Sequence, residues 1–239
     1  MDLSNKVAML TGAGGGWGRA VVDAFLRAGA SAVVVERPEV CAERAGWKTE
    51  LGELGKRLTM LPGNVFDEAS VEGIVQQVLA QHGRLDILVN MVGGFAAGQP
   101  VHEMDTEGWE GMLQLNLRST FLCSKYAARP MIAQRWGRII NIASRAGAQP
   151  APKAAAYGAS KAAAISLTES QAEELKNDFI TVNAVLPSIV DTPANRQGMP
   201  DADFSIWPKG EEVAAVIVFL ASEEAKLISG ASIPVYGRA

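Results

Sequence analysis

Tyr157 stands four residues before Lys161 in the stretch AAAYGASKAA, where every neighbour is alanine, glycine or serine. A spacing of four puts both side chains on one helix face, and small neighbours leave room for other groups to approach them. A free phenol titrates near ~10, too high for efficient proton exchange at neutral pH. A lysine one turn further on can stabilise the phenolate. Ser144 lies thirteen residues upstream, at the end of an apolar run. Its hydroxyl can hydrogen-bond a substrate oxygen while the proton is exchanged. The loop-like segment RAGAQPAPKAAA between them can fold serine and tyrosine towards one pocket. Each also has an ordinary structural reading: Ser144 as a helix cap, Tyr157 as packing, Lys161 as a solvated cation.

A second constellation lies near the N-terminus. TGAGGGWGRA follows the first apolar run directly and opens a helical stretch. Its glycines allow positive φ and close approach of an anion, and the free amides at a helix start favour a pyrophosphate. The pattern is Gly12, Gly16 and Gly18 with Gly14 and Gly15 between, and Trp17 takes the place of the third glycine of the commoner G-x-G-x-x-G. The next apolar run ends at Glu36. A carboxylate about twenty residues past the glycines is placed to hold a ribose 2′-hydroxyl and to repel a 2′-phosphate. This predicts NAD rather than NADP as the cofactor, with Arg37 as the opposing feature. An oxidised nicotinamide ring would also help to stabilise a Tyr157 phenolate.

These residues need a frame. Strand-length apolar runs occur at 6–11, 31–36, 57–61, 85–90, 137–144, 180–186 and 232–236, with helical stretches at 17–29, 68–82, 106–134, 154–177 and 210–222. A further helix over 39–55 is weakened by Gly46, Gly52 and Gly55. Near-continuous apolar strands alternating with helices predict an α/β fold: one doubly wound, Rossmann-type parallel sheet of about seven strands, with helices on both faces. No repeat or linker divides residues 1–239, so one domain is expected. Such sheets bind ligands at the carboxyl ends of their strands, where Gly12, Glu36 and Ser144 all fall.

Taken together, TGAGGGWG, NMVG at 90–93, Ser144 and YGASK resemble the short-chain dehydrogenase/reductase family over essentially the whole chain. The resemblance implies that Tyr157 is the catalytic acid/base and that Ser144 polarises the substrate carbonyl. It also implies that Lys161 lowers the tyrosine pKa and binds the nicotinamide ribose. Asn116, in LQLNLRSTF, matches a helix asparagine that supports a proton relay to the lysine, and Asn90 a structural asparagine beside the cofactor. Asn64 and Val65 would flank the adenine, and Pro187, the backbone of Val190 and Thr192 would hold the nicotinamide carboxamide. The chain departs from the family pattern at Met91, Val92, Asn64 and Ser188, none of which removes a group that hydride transfer needs. Residues 191–209 read as a substrate lid with Met199, Phe204, Ile206 and Trp207 as its apolar members, inserted before the last helix and strand. DTPANRQGMPDADFSIW within it resembles the matching segment of quinonoid dihydropteridine reductases.

The expected reaction is hydride transfer between nicotinamide and a carbonyl or secondary alcohol carbon of a small molecule. The rivals are a 3-oxoacyl-thioester reductase, a pterin reductase and a non-catalytic NAD sensor. An epimerase or dehydratase would need more chain after Thr192. A net charge of −4 with dispersed basic residues argues against nucleic acid or membrane partners. The two cysteines, Cys41 and Cys123, suggest no disulfide framework. His82 and His102 are isolated, and no metal-ligand spacing is present. With no signal peptide or membrane-spanning run, the expected location is cytoplasmic. The long small-residue helices at 106–134 and 154–177 predict a homo-oligomer, a tetramer or a dimer.

Overall fold

Successive residues of the central strands enter different cores. Ala8 and Leu10 join one cluster and Val7 and Met9 the other; Val34 and Ile140 divide from Val33 and Ile139 in the same way. A strand buried on both faces has no polar side, which is why the sequence shows continuous apolar runs rather than alternation. The computed structural model describes residues 1–238. The first half is β1 (Val7–Thr11), α1 (Gly18–Arg27), β2 (Ser31–Glu36), α2 (Pro38–Glu43), α3 (Trp47–Glu50), β3 (Leu58–Pro62), α4 (Glu68–His82) and β4 (Ile87–Asn90). The second half is α5 (Thr106–Leu113), a π-helical segment (Gln114–Arg118), α6 (Ser119–Gln134), β5 (Gly137–Ile142), α7 (Arg145–Ala148) and α8 (Ala155–Leu175). It closes with β6 (Ile180–Pro187), α9 (Pro193–Gly198), α10 (Gly210–Ala221) and β7 (Ser232–Val235).

All seven strands are parallel, in the order β3-β2-β1-β4-β5-β6-β7. The chain reverses direction across the sheet at the β1/β4 boundary, so the crevice at the carboxyl ends of these two strands is open to a ligand. At their opposite ends the fully buried Asp86 carboxylate accepts the Val7 N–H at 2.9 Å and two Arg84 donors at 2.7 Å. On one face α1 buries Val21, Val22, Phe25 and Leu26 beside Val213 and Ile217 of α10. On the other, Ile74 and Val78 of α4 meet Leu122 and Met131 of α6.

The structure refines three sequence expectations. The 39–55 stretch is two short helices and a 3₁₀ turn rather than one helix, broken where Gly52 takes φ +54°. The 106–134 helix contains the π segment at Asn116. The fifth strand ends at Ile142, so Ser144 is not a strand residue but the N-cap of α7, its Oγ accepting the Ala146 N–H at 3.2 Å. His102 is exposed as expected, whereas His82 is half-buried.

Candidate active site

The glycine turn after β1 is shaped by what lies behind it. Gly12 adopts φ +73°, and a Cβ there would come within 2.7 Å of the Val92 backbone nitrogen. Gly18 packs so tightly on the Ala13 backbone that no side chain fits; it closes α1 onto the loop and does not line the cleft. Gly15, by contrast, has only the Gly12 carbonyl near its open side, at 3.6 Å. Glu36 at the end of β2 accepts the Gly14 N–H at 2.8 Å, and Arg44 of the following turn donates to the Gly14 carbonyl at 3.3 Å.

Around them lies a cavity of about 560 Å³, lined by Gly14, Gly15, Glu36, Arg37, Asn64 and Val65 among others. It shares Met91 and Gly93 with a second cavity of about 290 Å³ that contains Trp17, Ser144, Tyr157, Lys161, Pro187 and Val190. The two halves form one cleft along the carboxyl ends of the strands. Gly16 and Thr192 face each other at its rim, where a Gly16 Cβ would lie 3.4 Å from Thr192 Cγ2. Asn64 is exposed and its Oδ1 accepts the Phe66 N–H at 3.0 Å, while Val65 is buried beside it. Asn90 sits behind the cleft wall rather than on it. Its Nδ2 donates to Asn141 Oδ1 at 2.8 Å and Ser124 Oγ at 3.0 Å, tying β4 to β5 and α6.

Helix α8 carries Tyr157 and Lys161 to this point. The Tyr157 hydroxyl hydrogen-bonds Ser144, and its ring meets Phe95 edge-on with centroids 4.9 Å apart. Lys161, buried, donates to the Ile142 carbonyl at 2.7 Å. Burial pushes its ammonium down to about 8. Burial also raises the Tyr157 phenol, against a smaller lowering by the Ser144 hydrogen bond. Of the two influences on Tyr157, desolvation of the phenolate outweighs the Ser144 hydrogen bond.

Asn116, in the π segment, clasps Gly94 from both sides. Its Oδ1 accepts the Gly94 N–H at 2.9 Å and its Nδ2 donates to the Gly94 carbonyl at 3.1 Å and to Ser160 Oγ at 3.0 Å. Gly93 leaves a gap between Asn116 and Lys161: a Cβ there would lie 2.8 Å from Asn116 Oδ1 and 3.2 Å from Lys161 Nζ. This is the space in which a ribose hydroxyl or a relaying water would stand. The glycine-lined anion cradle, a carboxylate at the end of β2 and the gap at Gly93 fit a nicotinamide dinucleotide laid across the β1/β4 crevice.

Beyond Ser144 and Tyr157 opens a third cavity of about 590 Å³, with Phe95, Arg145, Gln149, Asn195 and Met199 in its wall. Of the apolar residues expected in the lid, Met199 reaches this wall, while Trp207 is buried and Phe204 packs on it at 5.0 Å. The segment is pinched at its base by a bridge between Asp191 and Lys209. Phe95, Arg44, Arg145 and Ser160 escaped sequence reading. Phe95 and Arg145 follow strands in stretches with no periodicity to reveal their direction, and Arg44 lay in the stretch that its glycines obscured.

The chain belongs to the short-chain dehydrogenase/reductase family, the short chain dehydrogenase model matching residues 6–203. It is an oxidoreductase of the kind that binds NAD or NADP. It is 35% identical over 245 residues to the 3-oxoacyl-(acyl-carrier-protein) reductase FabG of Escherichia coli (strain K12), spanning 99% of this chain and 98% of that one. A structure of ElxO with NADP bound superposes with a TM-score of 0.89 at 28% identity, over 97% of each chain. NAD+-bound xylitol dehydrogenase does so with a TM-score of 0.89 at 27% identity, over 99% of this chain and 100% of the other.

Proposed function

We propose that the protein is an NAD-preferring carbonyl reductase or secondary-alcohol dehydrogenase in which Tyr157 is the acid/base. The observation that carries this reading is the convergence of Ser144, Tyr157 and Lys161 where the nucleotide cleft meets a separate cavity of substrate size. When bound, the nicotinamide supplies or accepts the hydride. Ser144 and the Tyr157 hydroxyl hold the substrate oxygen from one side, and Tyr157 moves its proton. The raised phenol suits the reducing direction, because it stays protonated through neutral pH. Lys161 holds the nicotinamide ribose and, across the gap at Gly93, connects with Asn116 for proton resupply. Phe95 and Met199 supply apolar wall on the far side. The test is NADH consumption by the purified protein with a neutral 3-oxoester as substrate; turnover separates this reading from that of a sensor. The likeness to FabG favours a 3-oxoacyl thioester as the second substrate to try.

The NAD preference rests on Glu36, whose carboxylate at the end of β2 accepts the Gly14 N–H at 2.8 Å and carries a negative charge that would repel a 2′-phosphate. Arg37 is turned aside onto Glu39 at 3.0 Å. Glu36→Ala is expected to reduce the NADH-over-NADPH preference in kcat/KM by roughly tenfold, the size of one charge-assisted hydrogen bond. An unchanged ratio would mean that another group reads the ribose.

Homo-oligomerisation is part of the same proposal. Leu113, Leu117, Phe121, Ala163 and Leu167 line an apolar surface cavity between the α5–α6 helix and α8, with Phe121 43% exposed. A second copy of the same face would cover it. Light scattering is expected to give the mass of a dimer or tetramer; a monomer at micromolar concentration would refute it.

A further inference from the structure

We infer that Ser188 and Asn195 select substrates with a hydroxyl on the carbon next to the reacting one: α-hydroxy ketones, or vicinal diols in the reverse direction. This rests on the reductase reading of the same site. Phe95, Ser144, Tyr157, Ser188 and Asn195 line both the inner cavity that contains Lys161 and the outer cavity beyond Tyr157. The reacting carbon belongs at this junction, because Ser144 and Tyr157 hold its oxygen. Ser188 and Asn195 are the other polar side chains there, and hydride transfer itself gives them no part.

What they offer a substrate is decided by the bonds they already make. Ser188 Oγ donates its one hydrogen to the Tyr236 carbonyl at 2.7 Å, so only its lone pairs are left. Asn195 Nδ2 donates to the Val190 carbonyl at 2.7 Å. A carbonyl can only accept, so this bond fixes which way the amide is turned, and Oδ1 takes no hydrogen bond among the described residues. Both residues are also pinned through their backbones. The Ser188 N–H donates to the Val235 carbonyl at 3.2 Å, and the Asn195 N–H to Thr192 Oγ1 at 3.2 Å in the cap of α9. Together they present two acceptors and one leftover amide hydrogen. A hydroxyl matches that set; an ether or a methylene does not.

Charge and reach narrow the class. No acidic residue lines either cavity among the described residues, so an ammonium donor would find no counter-charge and the donor is neutral. Sharing the junction with Ser144 and Tyr157 places the hydroxyl one carbon from the carbonyl, not at the end of a long arm. Further out the wall turns apolar, with Pro150, Ile189 and Met199, and suits a hydrocarbon substituent. A substrate without the hydroxyl would cover the acceptors and leave them unpaired, which is costly.

The experiment compares kcat/KM, with NADH and the full chain, for α-hydroxyacetophenone, α-methoxyacetophenone and propiophenone. The methoxy ketone keeps the electron withdrawal and loses the donor; propiophenone keeps the size and loses the oxygen. The hydroxy ketone is expected to exceed both by roughly 10- to 100-fold, the range for leaving a buried acceptor unpaired. Ser188→Ala and Asn195→Leu should each reduce that ratio, and the double variant should bring it to about one with the KM for NADH little changed. Each ratio is taken within one protein, so a general loss of activity cancels. No preference in the wild type, a preference that survives the double variant, or a loss confined to NADH binding overturns the inference. Turnover that shows no preference yet depends on Tyr157 keeps the reductase reading standing, and turnover indifferent to Tyr157→Phe brings down that reading and the inference with it. Should none of the three ketones react, calorimetry of 1-phenyl-1,2-ethanediol and 1-phenyl-1-propanol with the enzyme–NAD complex decides. Tighter binding of the diol that is lost in the double variant supports the inference; equal binding of the two, or none by the diol, overturns it.

Discussion

If Tyr157 is the acid/base proposed above, Tyr157→Phe is expected to lower turnover by about 10³- to 10⁴-fold, the upper range for loss of a general acid/base, and to leave NADH binding nearly unchanged. The replacement keeps the ring that meets Phe95 edge-on and removes only the hydroxyl. Ser144 retains its bond from the Ala146 N–H, so α7 stays capped. The fold and the nucleotide cleft have no reason to move. NADH fluorescence titration beside a steady-state assay separates the two effects. A variant that turns over at the wild-type rate would remove Tyr157 from the mechanism. The raised phenol adds a pH signature: the wild-type reduction rate is expected to hold through neutral pH and to decline only on the alkaline side, where the acid form would be lost.

Lys161→Met is expected to cut activity by at least ~10²-fold and weaken NADH binding, yet to raise the melting temperature of the cofactor-free protein near neutral pH. The physical reason is burial. The folded chain holds the lysine at about 8 against an ordinary 10.5, so at neutral pH it carries a desolvated charge that the unfolded chain carries in water. Between these two values the unfolded state binds the extra proton, and wild-type stability rises with pH. Below about 8 the penalty is fully present. Methionine fills nearly the same volume without charge, at the cost of the 2.7 Å ammonium bond to the Ile142 carbonyl, about 1.5–3 kcal/mol. The stability gap between variant and wild type should therefore close as pH climbs past the lysine's value. Thermal unfolding of both proteins on either side of it checks this, and a variant less stable at every pH would refute it.

The strands were legible because burial on both faces leaves a plain apolar signature, and Gly12, Glu36 and Ser144 could be placed because each follows such a run. Tyr157 and Lys161 share a helix, so spacing alone juxtaposed them. Other features leave no such trace. Strand order depends on contacts between distant segments. The π segment at Asn116 adds one residue to a turn without disturbing a helix that is already rich in apolar residues. The direction of the Tyr157 shift depends on how deeply the phenol and the lysine are sunk, which spacing does not reveal. Phe95 and Arg145 reach the site from irregular or very short elements, where side-chain direction has no period.

Asn116 grips the N–H and the carbonyl of Gly94, one from each flanking peptide unit, and that grip falls immediately before Phe95. Upstream of it lie β4 and the glycine-lined cleft; downstream the chain is exposed and irregular, touching the rest of the fold through the Phe95 ring on Tyr157 and the Gly98 N–H on the Lys153 carbonyl. An evolving or engineered enzyme can therefore lengthen, shorten or recolour the stretch from Ala96 to Glu103, beyond the Phe95 ring that meets Tyr157, without passing the disturbance back to Lys161. With the loop pinched off between Asp191 and Lys209, this makes two independently replaceable walls around one fixed reacting centre. Libraries confined to these two segments should yield new specificities at a far higher rate than equal numbers of changes at the strand ends.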